Sequence, residues 1–160
     1  EAVALALDGE LKACLLSEQL DQVSSITQEL KSLTTRGTGY AQVAINGALS
    51  VALSLESTEL AERTAGVALQ HTRPSDWSRL VALNRLLMVK VHRGQLLTSE
   101  TADLLAEAEA LAQASGDLQQ KFNFESNRAL GYMDAALFDL AEEGFDRAEG
   151  LIGSAEMTLA

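Results

Sequence analysis

Ile45-Asn46-Gly47-Ala48-Leu49 has three counterparts along the chain. Leu7-Asp8-Gly9-Glu10-Leu11 precedes it, and Leu83-Asn84-Arg85-Leu86-Leu87 and Ser126-Asn127-Arg128-Ala129-Leu130 follow it. The Asp or Asn positions are spaced by 38, 38 and 43 residues. In every copy a Leu comes three positions after the Asp or Asn, which on a helix places both on one face. Clusters of turn formers keep the same rhythm: Thr35-Arg36-Gly37-Thr38-Gly39, Thr72-Arg73-Pro74-Ser75-Asp76, Ser115-Gly116-Asp117 and, more weakly, Gly153-Ser154. Glycine frees the backbone for positive φ after a helix, and proline ends a helix before it. Each block is long enough for two helices, and softer breaks fall inside the blocks near Ser17, Glu56-Ser57-Thr58, Gly94 to Ser99 and Ala136-Leu137. A period near 40 residues predicts a stack of helical hairpins. The expected repeats are roughly 1–36, 38–73, 75–115 and 117–153, about eight helices in one solenoid.

Composition agrees with an all-α chain. Of 160 residues, 47% are apolar, 4% are aromatic and one is proline. Ala and Leu lose little on entering a helix, while the aromatic residues that strands favour are scarce. The net charge of −11 opposes a phosphate backbone, which argues against direct nucleic-acid binding. Cys14 is the single cysteine, so intrachain disulfides and multi-cysteine metal sites are excluded. No apolar run reaches the length of a membrane span and no signal peptide is evident, so no membrane partner is expected and a cytoplasmic setting is the default. The chain opens on Glu1, and Ser154 to Ala160 reads as an N-cap with the start of a further helix. Both features lead to the expectation that it is a piece of a longer protein.

The last block carries a family pattern. Ala129-x-x-Tyr132, then Ala141-x-x-x-Phe145-x-x-Ala148, resembles the tetratricopeptide repeat. Small residues at Ala129 and Ala141 would let paired helices approach closely. Tyr132 and Phe145 would fill the space toward the neighbouring hairpin, and Phe138 would close the bend. The second block keeps the alanines as Ala61, Ala65 and Ala68 without an aromatic knob. The resemblance covers the whole chain in period but only residues 122–151 in detail. Blocks longer than the standard repeat make the chain similar to the divergent repeats in sensor and scaffold regions of large bacterial signalling or transcriptional regulators, of the maltose-regulator type. It implies a right-handed superhelix of about four antiparallel hairpins.

Catalysis finds little to work with. His71 and His92 stand in no recognisable metal or catalytic spacing with carboxylates, and Cys14 lies in the apolar stretch Leu11 to Leu16, as a buried, inert thiol would. Gly37-Thr38-Gly39 lacks the rest of a phosphate loop. The expectation is therefore no enzyme, no catalytic residue, no metal and no cofactor. The resemblance implies instead a concave groove lined by the first helix of each hairpin. Asn46, Asn84 and Asn127 would stand there as a ladder, since a carboxamide both donates to and accepts from a peptide backbone. Leu49, Leu87 and Leu130 would lie beside it as apolar pockets, with Lys90 nearby; Asp8 can only accept and breaks the series. The same asparagines could equally bond a neighbouring helix's backbone while the leucines form ordinary core, and Lys90 with Arg93 could form an anion site or simply flank a solvated helix. Trp77, after Pro74, is expected to staple its helix to the preceding hairpin.

The reading that follows is a non-catalytic module of a larger regulatory protein, binding a peptide or neighbouring domain on its concave face. Two alternatives come from other classes. One is an effector-sensing region that binds a small molecule and controls an attached ATPase or DNA-binding domain. The other is a self-association scaffold, a homodimer through exposed solenoid ends.

Overall fold

Capping chemistry decides where the helices begin and end. In the computed structural model the described residues are 3, 6, 7, 10, 11, 13, 14, 17, 20–35, 40–73 and 77–158. Among them there is no strand, and seven bounded helices follow one another: α1 (Leu20–Leu33), α2 (Tyr40–Leu53), α3 (Thr58–Gln70), α4 (Trp77–His92), α5 (Ala102–Ala114), α6 (Leu118–Asp134) and α7 (Phe138–Thr158). Residues 3, 6, 7, 10, 11, 13 and 14 are helical as well. Asp8, Arg36 to Gly39 and Pro74 to Asp76 lie outside the described residues. Ser57 caps α3 by accepting from the Leu60 N–H at 3.3 Å, and Asp117 caps α6 by accepting from the Gln120 N–H at 3.0 Å.

Two C-termini close by one device. After α4 the Gln95 N–H donates to the Lys90 carbonyl and the Gly94 N–H to that of Val91, both at 2.8 Å. After α6 the Leu137 N–H donates to the Tyr132 carbonyl at 2.9 Å and the Ala136 N–H to that of Met133 at 3.0 Å. Each is a Schellman closure around one left-handed residue, Gly94 at φ 63° and Ala136 at φ 58°. Glycine takes that conformation freely, whereas alanine holds it against its own Cβ. The expected breaks at Glu56 to Thr58, Gly94 to Ser99, Ser115 to Asp117 and Ala136-Leu137 all separate helices. The weak break at Gly153-Ser154 does not: α7 runs through it to Thr158, so residues 154–158 continue α7 and do not begin a separate helix, while residues 159–160 lie outside the described residues. Ala, Glu and Met beyond it favour helix, and a serine ends one only where the backbone leaves helical geometry.

Packing gathers in two compact units, Glu1–Val89 and Lys90–Ala160, with the boundary inside α4. In the first unit α2 is buried at every position from Gln42 to Leu53, which explains why its apolar residues run around the whole helix instead of along one stripe. Leu7, Leu11 and Cys14 join Val23, Ile26 and Leu30 of α1 against Ala48, Leu49, Val51 and Leu53 of α2. On α3 the inward residues are Ala61, Ala65 and Ala68, all inaccessible. Ala68 meets Val43 and Ala82, and the Trp77 ring lies 5.2 Å from that of Tyr40, tilted by 42°, so Trp77 does fasten the start of α4 to the α2–α3 hairpin.

In the second unit α6 and α7 form an antiparallel hairpin around Ala129, Ala141 and Ala148, all buried. A Cβ on Gly144 would stand 2.9 Å from the Ala129 Cβ and 3.3 Å from its Cα, so backbone faces backbone there. A Cβ on Gly131 would overlap the Leu96 side chain, which the 93–101 turn lays against α6. Gly150, by contrast, has nothing within 4 Å of the place its Cβ would take.

Substitutions at these small residues should change sign with their surroundings. Gly144→Ala should destabilise by about 1–3 kcal/mol through overpacking, despite the gain in helix propensity. Gly150→Ala in the same helix should stabilise by about 0.5–1 kcal/mol. Ala136→Gly should stabilise by about 1 kcal/mol by relieving the left-handed alanine. Urea titrations of the three variants check all three signs; a gain for Gly144→Ala would show that the two helices do not cross as closely as described.

Candidate functional site

The amides singled out by the repeat are interior residues. Asn46, Asn84 and Asn127 are 5%, 3% and 9% exposed. The Asn46 Nδ2 donates to the Gln42 carbonyl at 2.9 Å and to the Gln42 Oε1 at 2.7 Å, and the Gln42 Nε2 donates onward to the Thr34 carbonyl at 2.6 Å. This chain of amides ties α2 to the end of α1, where a helix leaves carbonyls to be satisfied. Leu49 and Leu87 are core residues of the first unit, Leu130 is half-buried, and Lys90 is buried. Asn46 and Asn84 belong to the first unit and Asn127 to the second. Each of the three asparagines is thus a buried residue. Because α2 is covered all round, the Asn46 amide turns toward protein and bonds there.

Cys14 is buried, and its Sγ–H donates to the Gln22 Oε1 at 3.3 Å. His71 and His92 are exposed. Among the described residues no group of three or more His, Cys, Asp or Glu side chains is arranged to hold a metal ion, and no helix is long and apolar enough to cross a membrane.

The exposed feature is apolar and lies on α7. Phe138, Phe145 and Ile152 are 66%, 38% and 48% exposed. They are seven residues apart, so they fall in one stripe that drifts only about 20° per step around the helix. The stripe runs beside the Ala141 and Ala148 positions that face α6. At its far end Ile152 and Leu151 meet Leu118, Gln119 and Phe122 of α6 in a groove of about 220 Å³. Met133, Leu137 and Leu140 near the bend are exposed as well. Phe138 does stand at the bend, as the first residue of α7, but its ring is exposed, and Phe145 is exposed on the same stripe instead of filling space toward a neighbour. With alanine and glycine filling the α6–α7 contact, no room remains inside for either ring. The seven-residue spacing was the available signal, and it was missed because the tetratricopeptide pattern assigns its aromatic residues to the interior.

A second feature is a cleft of about 290 Å³ where α5, α6 and α7 meet. Ala112, Phe124 and Leu151 supply apolar lining, and Glu109, Gln113, Lys121, Glu125 and Arg147 supply the polar part. Arg128 organises its edge. Its guanidinium contacts Glu109 at 2.7 Å and Glu125 at 2.8 Å, and lies 5.2 Å from the centre of the Phe124 ring. Arg147 adds contacts to Glu125 at 3.0 Å and to Glu143 at 3.7 Å. Arg128 is 13% exposed and Arg147 44%, so water screens the second far more than the first.

No known family model matches the chain, and no curated protein or solved structure is significantly similar to it.

The two arginines should therefore differ in weight. Arg128→Gln should lower stability by about 2 kcal/mol, because it takes from the poorly solvated Glu125 the better buried of its two arginines and removes the contacts with Glu109 and Phe124. Arg147→Gln should cost less than about 1 kcal/mol. Chemical denaturation of both variants measures the contrast, and equal losses would show that the edge behaves as a solvated surface network.

Proposed function

We propose that the chain is a non-catalytic interaction module of a larger regulatory protein, built from tetratricopeptide-like repeats and binding a protein partner. The observation that carries this reading is the exposed stripe of Phe138, Phe145 and Ile152. Large apolar side chains in a row on one helix face mark an interaction surface more often than free solvent contact. Alanines at 129, 141 and 148 within the α6–α7 pair support the repeat assignment, since that family keeps small residues between its paired helices. The same resemblance would place the module in the cytoplasm, within a bacterial signalling or transcription regulator. Because Asn46, Asn84 and Asn127 are buried, the partner surface is assigned to α7 and not to the amide series.

Selection of a displayed peptide library against the chain tests this. The expected result is an enriched consensus that binds with a Kd below about 10 μM and weakens at least tenfold against Phe138→Ser/Phe145→Ser at unchanged Tm. Failure to enrich any sequence sensitive to that pair removes the reading.

The cleft edged by Arg128 favours a second reading, an effector-sensing role. A small molecule with an apolar body and charged groups would fit it, and would raise Tm saturably with its concentration. A metabolite panel that leaves Tm unchanged would end that reading.

A further inference from the structure

Resting on the interaction reading above, the geometry points to a specific kind of occupant. We infer that the α7 stripe is the docking face for a basic amphipathic helix, one that presents apolar residues at heptad spacing flanked by Lys or Arg. The first ground is shape. Phe138 to Ile152 spans about 21 Å along the axis at the helical rise, and its knobs recur every seven residues. Heptad-spaced knobs are met by the seam of another helix. An extended strand is a poor match, because α7 satisfies its interior backbone groups itself and has no edge on which a strand could pair.

The second ground is charge. Asp139, Glu142, Asp146 and Glu149 are all exposed and follow one another at spacings of three, four and three residues. They therefore form a continuous acidic row along one side of the stripe. None of the four is in an ion pair among the described residues. Arg147 is the single cation between Phe138 and Ile152, and it is engaged with Glu125 and Glu143 around the opposite side of the helix. An apolar seam with an uncompensated acidic border selects a partner whose own border is basic, and repels an acidic one.

The same charge disfavours a second copy as occupant. An antiparallel pairing of two α7 stripes would set acidic row against acidic row, between chains that each carry a net charge of −11.

Three labelled 21-residue peptides with the same leucine heptads test the inference on the full chain. Their remaining positions are lysine in one, glutamine in the second and glutamate in the third, and binding is read by fluorescence anisotropy. The lysine peptide should bind at least tenfold more tightly than the glutamine peptide, and the glutamate peptide should not bind. Phe138→Ser/Phe145→Ser, which leaves every charge in place, should abolish binding of the lysine peptide. Glu142→Lys/Asp146→Lys/Glu149→Lys should shift the preference to the glutamate peptide.

Equal binding of the lysine peptide to the wild-type chain and the phenylalanine double variant would mean adsorption to an acidic surface, and would overturn the inference. Stripe-dependent binding of the glutamine or glutamate peptide at equal strength would overturn the basic partner while leaving the interaction module standing. Absence of binding by all three peptides would also overturn it. Sedimentation would then tell a dimer lost in the double variant, with a second copy as the occupant, from a monomer with no use for the stripe.

Discussion

The close approach of helices through residues with little or no side chain is the constraint on which the surface of this protein depends. Where α6 and α7 cross at Ala129 and Gly144, backbone lies nearly against backbone, and Ala141 and Ala148 continue the contact. Interiors are packed to the density of organic crystals, so a contact of that kind leaves no volume for a ring. Phe138, Phe145 and Ile152 are displaced to the adjacent stripe, where water reaches them. The apolar surface is thus a consequence of how tightly the pair beneath it is packed, and core and candidate interface follow from one choice of residue size.

The first unit uses the same small residues to a different end. Ala61, Ala65 and Ala68 bring α3 against α2, and Gly47 lets the Arg85 side chain lie close to the α2 backbone. Here α2 is covered along nearly its whole length, so its polar residues become internal. Asn46 donates to Gln42 and Gln42 donates onward to the Thr34 carbonyl, which removes two amides from any role at a surface and fixes α1 to α2. A satisfied buried amide pair of this kind specifies one arrangement of helices, because any slip would leave its groups without partners.

Charge sets the two candidate surfaces of the second unit apart. The cleft edged by Arg128 balances its acids with arginines that bridge three helices, so it presents an apolar floor within a nearly neutral border. The α7 stripe has a border of one sign only. A balanced border accommodates a small polar molecule with little preference in charge, whereas a one-sided border discriminates between partners before contact is made. The two features therefore suit different ligands even though α7 contributes to both.

Helix boundaries were legible in the sequence because the signals that set them act over a few residues. Ser57 and Asp117 accept from the first turn that follows them, and Gly94 takes a left-handed conformation that most residues avoid. The small residues at 129, 141 and 148 were legible for the same reason: size alone decides whether two helices can touch there. Gly153-Ser154 misled because glycine permits a break without requiring one. The orientation of Asn46, Asn84 and Asn127 was not legible. An amide can serve a peptide ligand or a neighbouring helix equally well, and only the arrangement of surrounding helices decides which groups come within reach. The seven-residue spacing places Phe138, Phe145 and Ile152 on one face, but whether that face is covered depends on which neighbours pack against it. Local stereochemistry settled the helices and the sites of their close contact, while tertiary packing decided which faces remained open to solvent.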